Sequence, residues 1–117
     1  MPEPLKVAMV GDIAEDEALV VDAATNGTGE DIAVIFSDGK YRAISDICTH
    51  EYASLADGWI EGDEVECPLH AARFHLDTGA ALCLPATVAV KTYRTEVRGD
   101  EIWLHPSEAA QGAPEPS

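Results

Sequence analysis

The sequence predicts an all-β domain, and three observations support this. Short runs rich in branched and aromatic residues recur along the chain. Turn-forming residues separate them at intervals that suit antiparallel hairpins and are too short for crossover helices. The only helical turns expected are a single turn within the loop from Ile13 to Glu17 and the polar carboxyl terminus.

In chain order, Ala18-Leu19-Val20-Val21 is the first predicted strand. Ile32-Ala33-Val34-Ile35-Phe36 and Tyr41 to Ile44 flank Asp38-Gly39 and read as a hairpin. Val65-Glu66-Cys67 follows the turn Glu61-Gly62-Asp63. From Val88 to Val97 the alternation is broken: Val88 and Val90 share one face, and Tyr93, Thr95 and Val97 share the other. A bulge near Thr92 would reconcile them. Arg98-Gly99-Asp100 then turns the chain into Ile102-Trp103-Leu104. Residues 1–105 form one predicted domain. Past His105, itself expected to be exposed, residues 106–117 are rich in Pro, Ala, Ser and Gly and predict a disordered tail.

The chemistry is concentrated in the middle of the chain. Cys48-Thr49-His50 and Cys67-Pro68-Leu69-His70 each place a thiolate and an imidazole in a short turn, with sixteen residues between His50 and Cys67. Two such turns facing each other supply four ligands of mixed softness, which narrows the metal to zinc or to iron with sulfide. In a two-iron cluster Cys48 and Cys67 would bind one iron and His50 and His70 the other, and a C-x-H pair followed by C-x-x-H permits that sorting. Structural zinc sites commonly use C-x-x-C knuckles, and the chain contains none.

These two pairs, with Phe74 and the turn Thr78-Gly79 after the second and the hairpin Phe36 to Ile44 before the first, resemble the Rieske iron-sulfur family, over about Leu5 to Leu104. Within it the chain is most similar to the small ferredoxins of bacterial aromatic-ring dioxygenases. Two departures touch no ligand: Ala71 stands where glycine is usual, and Arg94-Thr95 where Pro-Val is frequent. The resemblance implies a Rieske-like antiparallel β-sandwich or barrel base with a cluster-binding insertion at about 47–84. It also implies one Rieske-type 2Fe-2S cluster held by Cys48, His50, Cys67 and His70. Two neutral imidazoles in place of thiolates raise the reduction potential over an all-cysteine cluster. Respiratory relatives brace the cluster with a disulfide, and the matching positions here are Ala53 and Leu69. Without that brace the expected potential lies toward the low end of the family, about −150 mV.

The implied role is one-electron transfer from an NAD(P)H-dependent ferredoxin reductase to a terminal oxygenase, with no bond chemistry on the chain itself. A Rieske-type subunit of another redox enzyme and a zinc-stabilised interaction module are the alternatives. A chain of 117 residues is short for an enzyme that must enclose an organic substrate. Its 22 acidic against 7 basic residues, a net charge of −15, exclude nucleic acid as a partner. The N-terminal stretch lacks a secretory pattern, and no run approaches the roughly twenty apolar residues of a membrane span. A cytoplasmic monomer is therefore expected.

Among other residues, Cys83 reads as a small buried hydrophobe and His75 as a surface or satisfied, partly buried histidine. Tyr52 and Trp59 flank the first pair; packing is the commoner use of such aromatics, and covering the cluster or forming part of a docking surface is the alternative. Arg73 is expected either to pair with Glu51 or another nearby carboxylate or to mark a contact point.

Overall fold

The computed structural model describes residues 3–47, 53–68, 72–82 and 89–108. Nine strands are present among them: β1 (Leu5–Met9), β2 (Glu17–Val21), β3 (Ile32–Ser37), β4 (Lys40–Ser45), β5 (Trp59–Glu61), β6 (Glu64–Glu66), β7 (Arg73–His75), β8 (Thr92–Arg98) and β9 (Glu101–His105). Among the described residues helix is confined to one turn, α1 (Ala23–Asn26), and a 3-10 turn at Leu55–Asp57. The all-β expectation holds.

The strands form two antiparallel sheets, a six-stranded one in the order β1-β9-β8-β4-β3-β2 and a three-stranded one in the order β5-β6-β7. The larger sheet curls. Ala8 of β1, Val21 of β2, Ile32 and Val34 of β3, Ala43 of β4, Tyr93 of β8, and Ile102 and Leu104 of β9 meet in a single apolar cluster, so all of its strands enclose one core. On the opposite face of β3 and β4, Ala33, Ile35 and Ile44 pack in a second cluster with Leu55, Val65, Cys67, Ala72, Phe74, Leu76 and Val90. Strand β3 is thus buried on both faces, which is why its sequence is an unbroken apolar run instead of an alternating one.

Two-residue turns, Asp38-Gly39, Gly62-Asp63 and Gly99-Asp100, close the β3–β4, β5–β6 and β8–β9 hairpins. The expected bulge near Thr92 is not found. Thr92 and Tyr93 pair in step with Ile44 and Ala43, and Arg94 to Arg98 pair in step with β9. Val90 changes face because it lies before the strand begins. The register shift falls instead between Lys6 and Ala8 of the edge strand β1.

The carboxyl terminus from 109 lies outside the described residues. A turn closes where Glu17 N donates to Ala14 O at 3.1 Å, while the α-helical turn among the described residues lies at Ala23–Asn26. Asp22 caps it by accepting from Thr25 N at 2.8 Å, and that bond holds the Asp22 carboxyl below its ordinary range. His105 is buried, contrary to expectation. Its Nε2 lies 2.9 Å from Glu96 Oε1 and its Nδ1 3.1 Å from Glu108 Oε2, and Arg94 N donates to Glu108 O at 3.0 Å. The chain therefore stays packed against β8 and β9 through Glu108. No helix among the described residues is long and apolar enough to cross a membrane.

One side chain couples the two sheets. Arg42 of β4, with 7% of its side chain exposed, reaches Asp63 Oδ1 at 2.6 Å and Asp77 Oδ1 at 3.0 Å, in the turns of the smaller sheet. Its Nη2 donates to Ser37 O at 3.1 Å and Ser37 Oγ at 3.0 Å, and Ser37 Oγ donates to Gly62 O at 2.7 Å. Burial opposes the charge, but the bonds to Asp63 and Asp77 outweigh it and raise the guanidinium pKa above its ordinary value.

Candidate metal centre

Described residues on both sides of each Cys/His pair reach the second apolar cluster: Ile44 and Leu55 around the first, Val65 and Ala72 around the second. The first loop leaves β4 and returns at Ser54, its base closed by the bridge Ile47–Ser54 and by Leu55 N donating to Asp46 O at 2.6 Å. The Asp46 carboxylate, on a residue only 3% exposed, accepts from Ser54 Oγ at 2.9 and 2.7 Å and from Ala56 N at 2.9 Å. One buried acid thus ties the two ends of the segment together, and among the described residues its negative charge is met by two hydrogen-bond donors.

The second loop leaves β6 at Cys67 and returns to β7 through Ala72, with Cys67 N donating to Ala72 O at 2.7 Å. Cys67 is 1% exposed and packs with Leu55, Val65, Ala72 and Phe74, and Ala53 packs against the same group. The return of the first loop and both ends of the second therefore converge in one apolar cluster. Such a setting excludes water from a thiolate and suits a soft metal ligand. Cys48, His50 and His70, the other three predicted ligands, lie outside the described residues, as do Tyr52 and Cys83.

Two glycines permit the convergence. A Cβ on Gly58 would lie 2.0 Å from Glu66 O, so the segment after the first loop is seated directly on the backbone that leads into Cys67. A Cβ on Gly79, whose φ is +76°, would lie 2.0 Å from Val90 O. Each is a backbone-to-backbone approach that any side chain would block.

The remaining candidates are sorted by the pleat. Arg73 pairs with the cross-strand carboxylates Glu66 at 3.1 Å and Glu64 at 3.3 Å, with Glu51 outside the described residues. Those bonds, to Glu64 first, raise the Arg73 pKa. Trp59 is 66% exposed instead of packed, because its neighbour Ile60 takes the inward position on β5. His75 is half-buried, and its Nδ1 accepts from Asp77 N at 3.1 Å. Asp63, His75 and Asp77 offer ligand atoms within 4.8 Å of one another, but the Arg42 guanidinium is already the cation between the two carboxylates.

Against sequence profiles of known families, residues 3–94 match the Rieske [2Fe-2S] domain. The chain belongs to this family. Its cofactor is one Rieske-type [2Fe-2S] cluster, and the convergence of the two loop bases around a buried cysteine fits that group. The chain is 46% identical over 101 residues to the 3-phenylpropionate/cinnamic acid dioxygenase ferredoxin subunit of Escherichia coli K12, covering 86% of this chain and 91% of that protein. Among solved structures it resembles the ferredoxin of carbazole 1,9a-dioxygenase from Nocardioides aromaticivorans IC177, with TM-score 0.80, 32% identity and coverage of 89% of this chain and 98% of that one. A complex of reduced oxygenase and oxidised ferredoxin in carbazole 1,9a-dioxygenase contains a chain similar at TM-score 0.83 and 29% identity, covering 93% of this chain and 97% of that one. The Rieske ferredoxin described here is an electron-transfer component and not a catalyst.

Proposed function

We propose that this ferredoxin takes single electrons from an NAD(P)H-dependent ferredoxin reductase and delivers them to the terminal oxygenase of an aromatic-ring dioxygenase system, with Cys48, His50, Cys67 and His70 as the cluster ligands. The observation that carries the reading is the placement of Cys67, buried where the bases of both Cys/His loops meet. When bound, the cluster supplies a one-electron couple whose potential is raised by the two neutral imidazoles. The chain's own residues pin the two ligand loops through Asp46 and the Cys67–Ala72 bond and keep water from Cys67 with Leu55, Ala72 and Phe74. The similarity to the E. coli ferredoxin subunit and to the oxygenase-bound ferredoxin supports the choice of partner class.

In this reading residues 1–105 are one domain, the cluster-binding insertion spans about 47–84, and the protein works as a cytoplasmic monomer. The test is anaerobic purification followed by metal analysis and by absorption and electron paramagnetic resonance spectra before and after dithionite. Two irons per chain and the reduced signal of a histidine-ligated cluster are expected. Cys48→Ser, His50→Ala, Cys67→Ser and His70→Ala should each abolish that signal. Stoichiometric zinc in a colourless protein would overturn the proposal, as would an intact signal in any of the four variants.

A further inference from the structure

The outer face of the smaller sheet carries an ordered stripe that the cluster chemistry does not use. Because cross-strand partners share a face, Trp59, Glu66 and Arg73 stand in one row and Glu61, Glu64 and His75 in the next. The bridge Phe74–Ala81, with Leu82 N donating to Arg73 O at 2.8 Å, sets residues 80–82 as a further edge and places Leu82 at the end of the first row. Ile60, Val65, Phe74 and Ala81 take the inward positions. The first row therefore reads Trp59, Glu66, Arg73, Leu82 and spans roughly 14 Å across three inter-strand spacings. It is the last row before the hairpin tip, since Cys67 and Ala72 directly follow Glu66 and precede Arg73.

Single exposed apolar residues are ordinary, but an exposed tryptophan is not spent lightly. The other tryptophan of the chain, Trp103, has the Arg98 guanidinium 4.4 Å from its ring centroid and donates to Glu101 at 3.1 Å. Trp59 is 66% exposed and Leu82 is 45% exposed at the opposite end of the row. Between them lie charges fixed by pairing, Arg73 to Glu66 and Glu64, with Glu61 adding a further carboxylate. Trp59 is the residue type most often found as an interface anchor, and the charged residues beside it can orient a partner.

We infer that this stripe is the docking face for the terminal oxygenase, with Trp59 entering an apolar pocket on the oxygenase that is bordered by Lys or Arg side chains. The inference rests on the carrier reading above and adds to it the surface and the chemistry of the partner. The acidic excess of the face calls for a basic rim, and the first row lies directly before Cys67, one of the four proposed ligands. The oxygenase is preferred to other occupants because a chain of closely similar fold is seen in complex with an oxygenase.

The test uses the full-length holoprotein, reduced by dithionite, with the terminal oxygenase of 3-phenylpropionate/cinnamic acid dioxygenase as acceptor and ferricyanide as an acceptor that needs no docking. Trp59→Ala is expected to raise the KM for the ferredoxin about thirtyfold, the effect of losing a hot-spot anchor, while Trp59→Phe keeps most of the affinity. KM should also rise with ionic strength. The ferricyanide rate and the paramagnetic signal should be unchanged in both variants. Val97→Ala, which trims an exposed apolar residue of the larger sheet, should match the wild type. A Trp59→Ala protein with wild-type KM overturns the docking face alone. The same holds if that variant slows only reduction by the reductase, or if the wild type proves to be a dimer that Trp59→Ala dissociates. Wild-type protein that carries the cluster and reduces ferricyanide but not the oxygenase overturns the carrier reading, and this inference with it.

Discussion

Replacing Arg42 by methionine tests whether a guanidinium clasp, beyond apolar contact, holds the cluster-bearing sheet on the base. Methionine keeps the length and packing of the stem and removes the charge and all its donors. The donors it removes serve Asp63 at 2.6 Å, Asp77 at 3.0 Å, Ser37 Oγ at 3.0 Å, Ser37 O at 3.1 Å and Gly62 O at 3.3 Å. Breaking a buried pair costs about 3–5 kcal/mol when the surviving charge is stranded. Here the surviving carboxylates keep 44% and 42% of their exposure and rehydrate, so the low end applies, about 3 kcal/mol. At about 4 °C per kcal/mol for a domain of this size, Tm should fall by about 12 °C. Urea unfolding at pH 7 followed by circular dichroism measures the loss, and calorimetry measures the shift. The acid limb gives a second readout. The bond from Arg42 holds the Asp63 carboxyl below its ordinary 3.8. A depressed folded-state pKa stabilises the fold above the ordinary value, and that contribution is lost as pH falls below 3.8 through the folded value. Arg42→Met should therefore lose less stability than the wild type across that acid window. A cost under about 1 kcal/mol, or parallel acid limbs, would show that Arg42 acts as an ordinary surface pair and that the clasp argument is wrong.

Three further outcomes are expected. Gly58→Ala drives a methyl group into Glu66 O, placed at 2.0 Å, and should cost about 2 kcal/mol or more while lowering iron content, read by thermal unfolding and metal analysis. Asp46→Ala leaves the Ser54 hydroxyl and the Ala56 amide without their acceptor and should cost about 2 kcal/mol, while Asp46→Asn, which keeps one acceptor oxygen, should retain more of the cluster through repeated desalting. Glu96 is held below its ordinary pKa by the bond from Arg98 and then by that from His105, so Glu96→Gln should be less stable than the wild type at pH 7. The gap should close as pH falls through the depressed Glu96 value, and equal stability at pH 7 would contradict the assignment.

What the sequence revealed and what it concealed divide by the range of the contacts. Strand β3 and the β3–β4 turn were legible because an unbroken apolar run and an Asp-Gly pair are local signals. Strand β5 was not, because its three residues cannot display a period, and neither could the four of α1. Trp59 and His105 went the wrong way for one reason: whether a residue faces in or out is set by the register of its strand, and in the structure Ile60 takes the inward place beside Trp59 while Glu96 and Glu108 enclose His105. The family was legible in the Cys/His pairs because their spacing is a short-range signal. Their supports were not. Asp46 lies two residues before Cys48 but reads as a solvated acid until Ser54 and Ala56 fold back on it, and Arg42 meets partners 21 and 35 residues away. A chain could therefore keep all four proposed ligands and still fail to seat a cluster, if Gly58 acquired a side chain or Arg42 lost its charge. Cys/His spacing points to the family, but the pinned segment ends and the clasp between the sheets decide whether the two proposed ligand pairs meet.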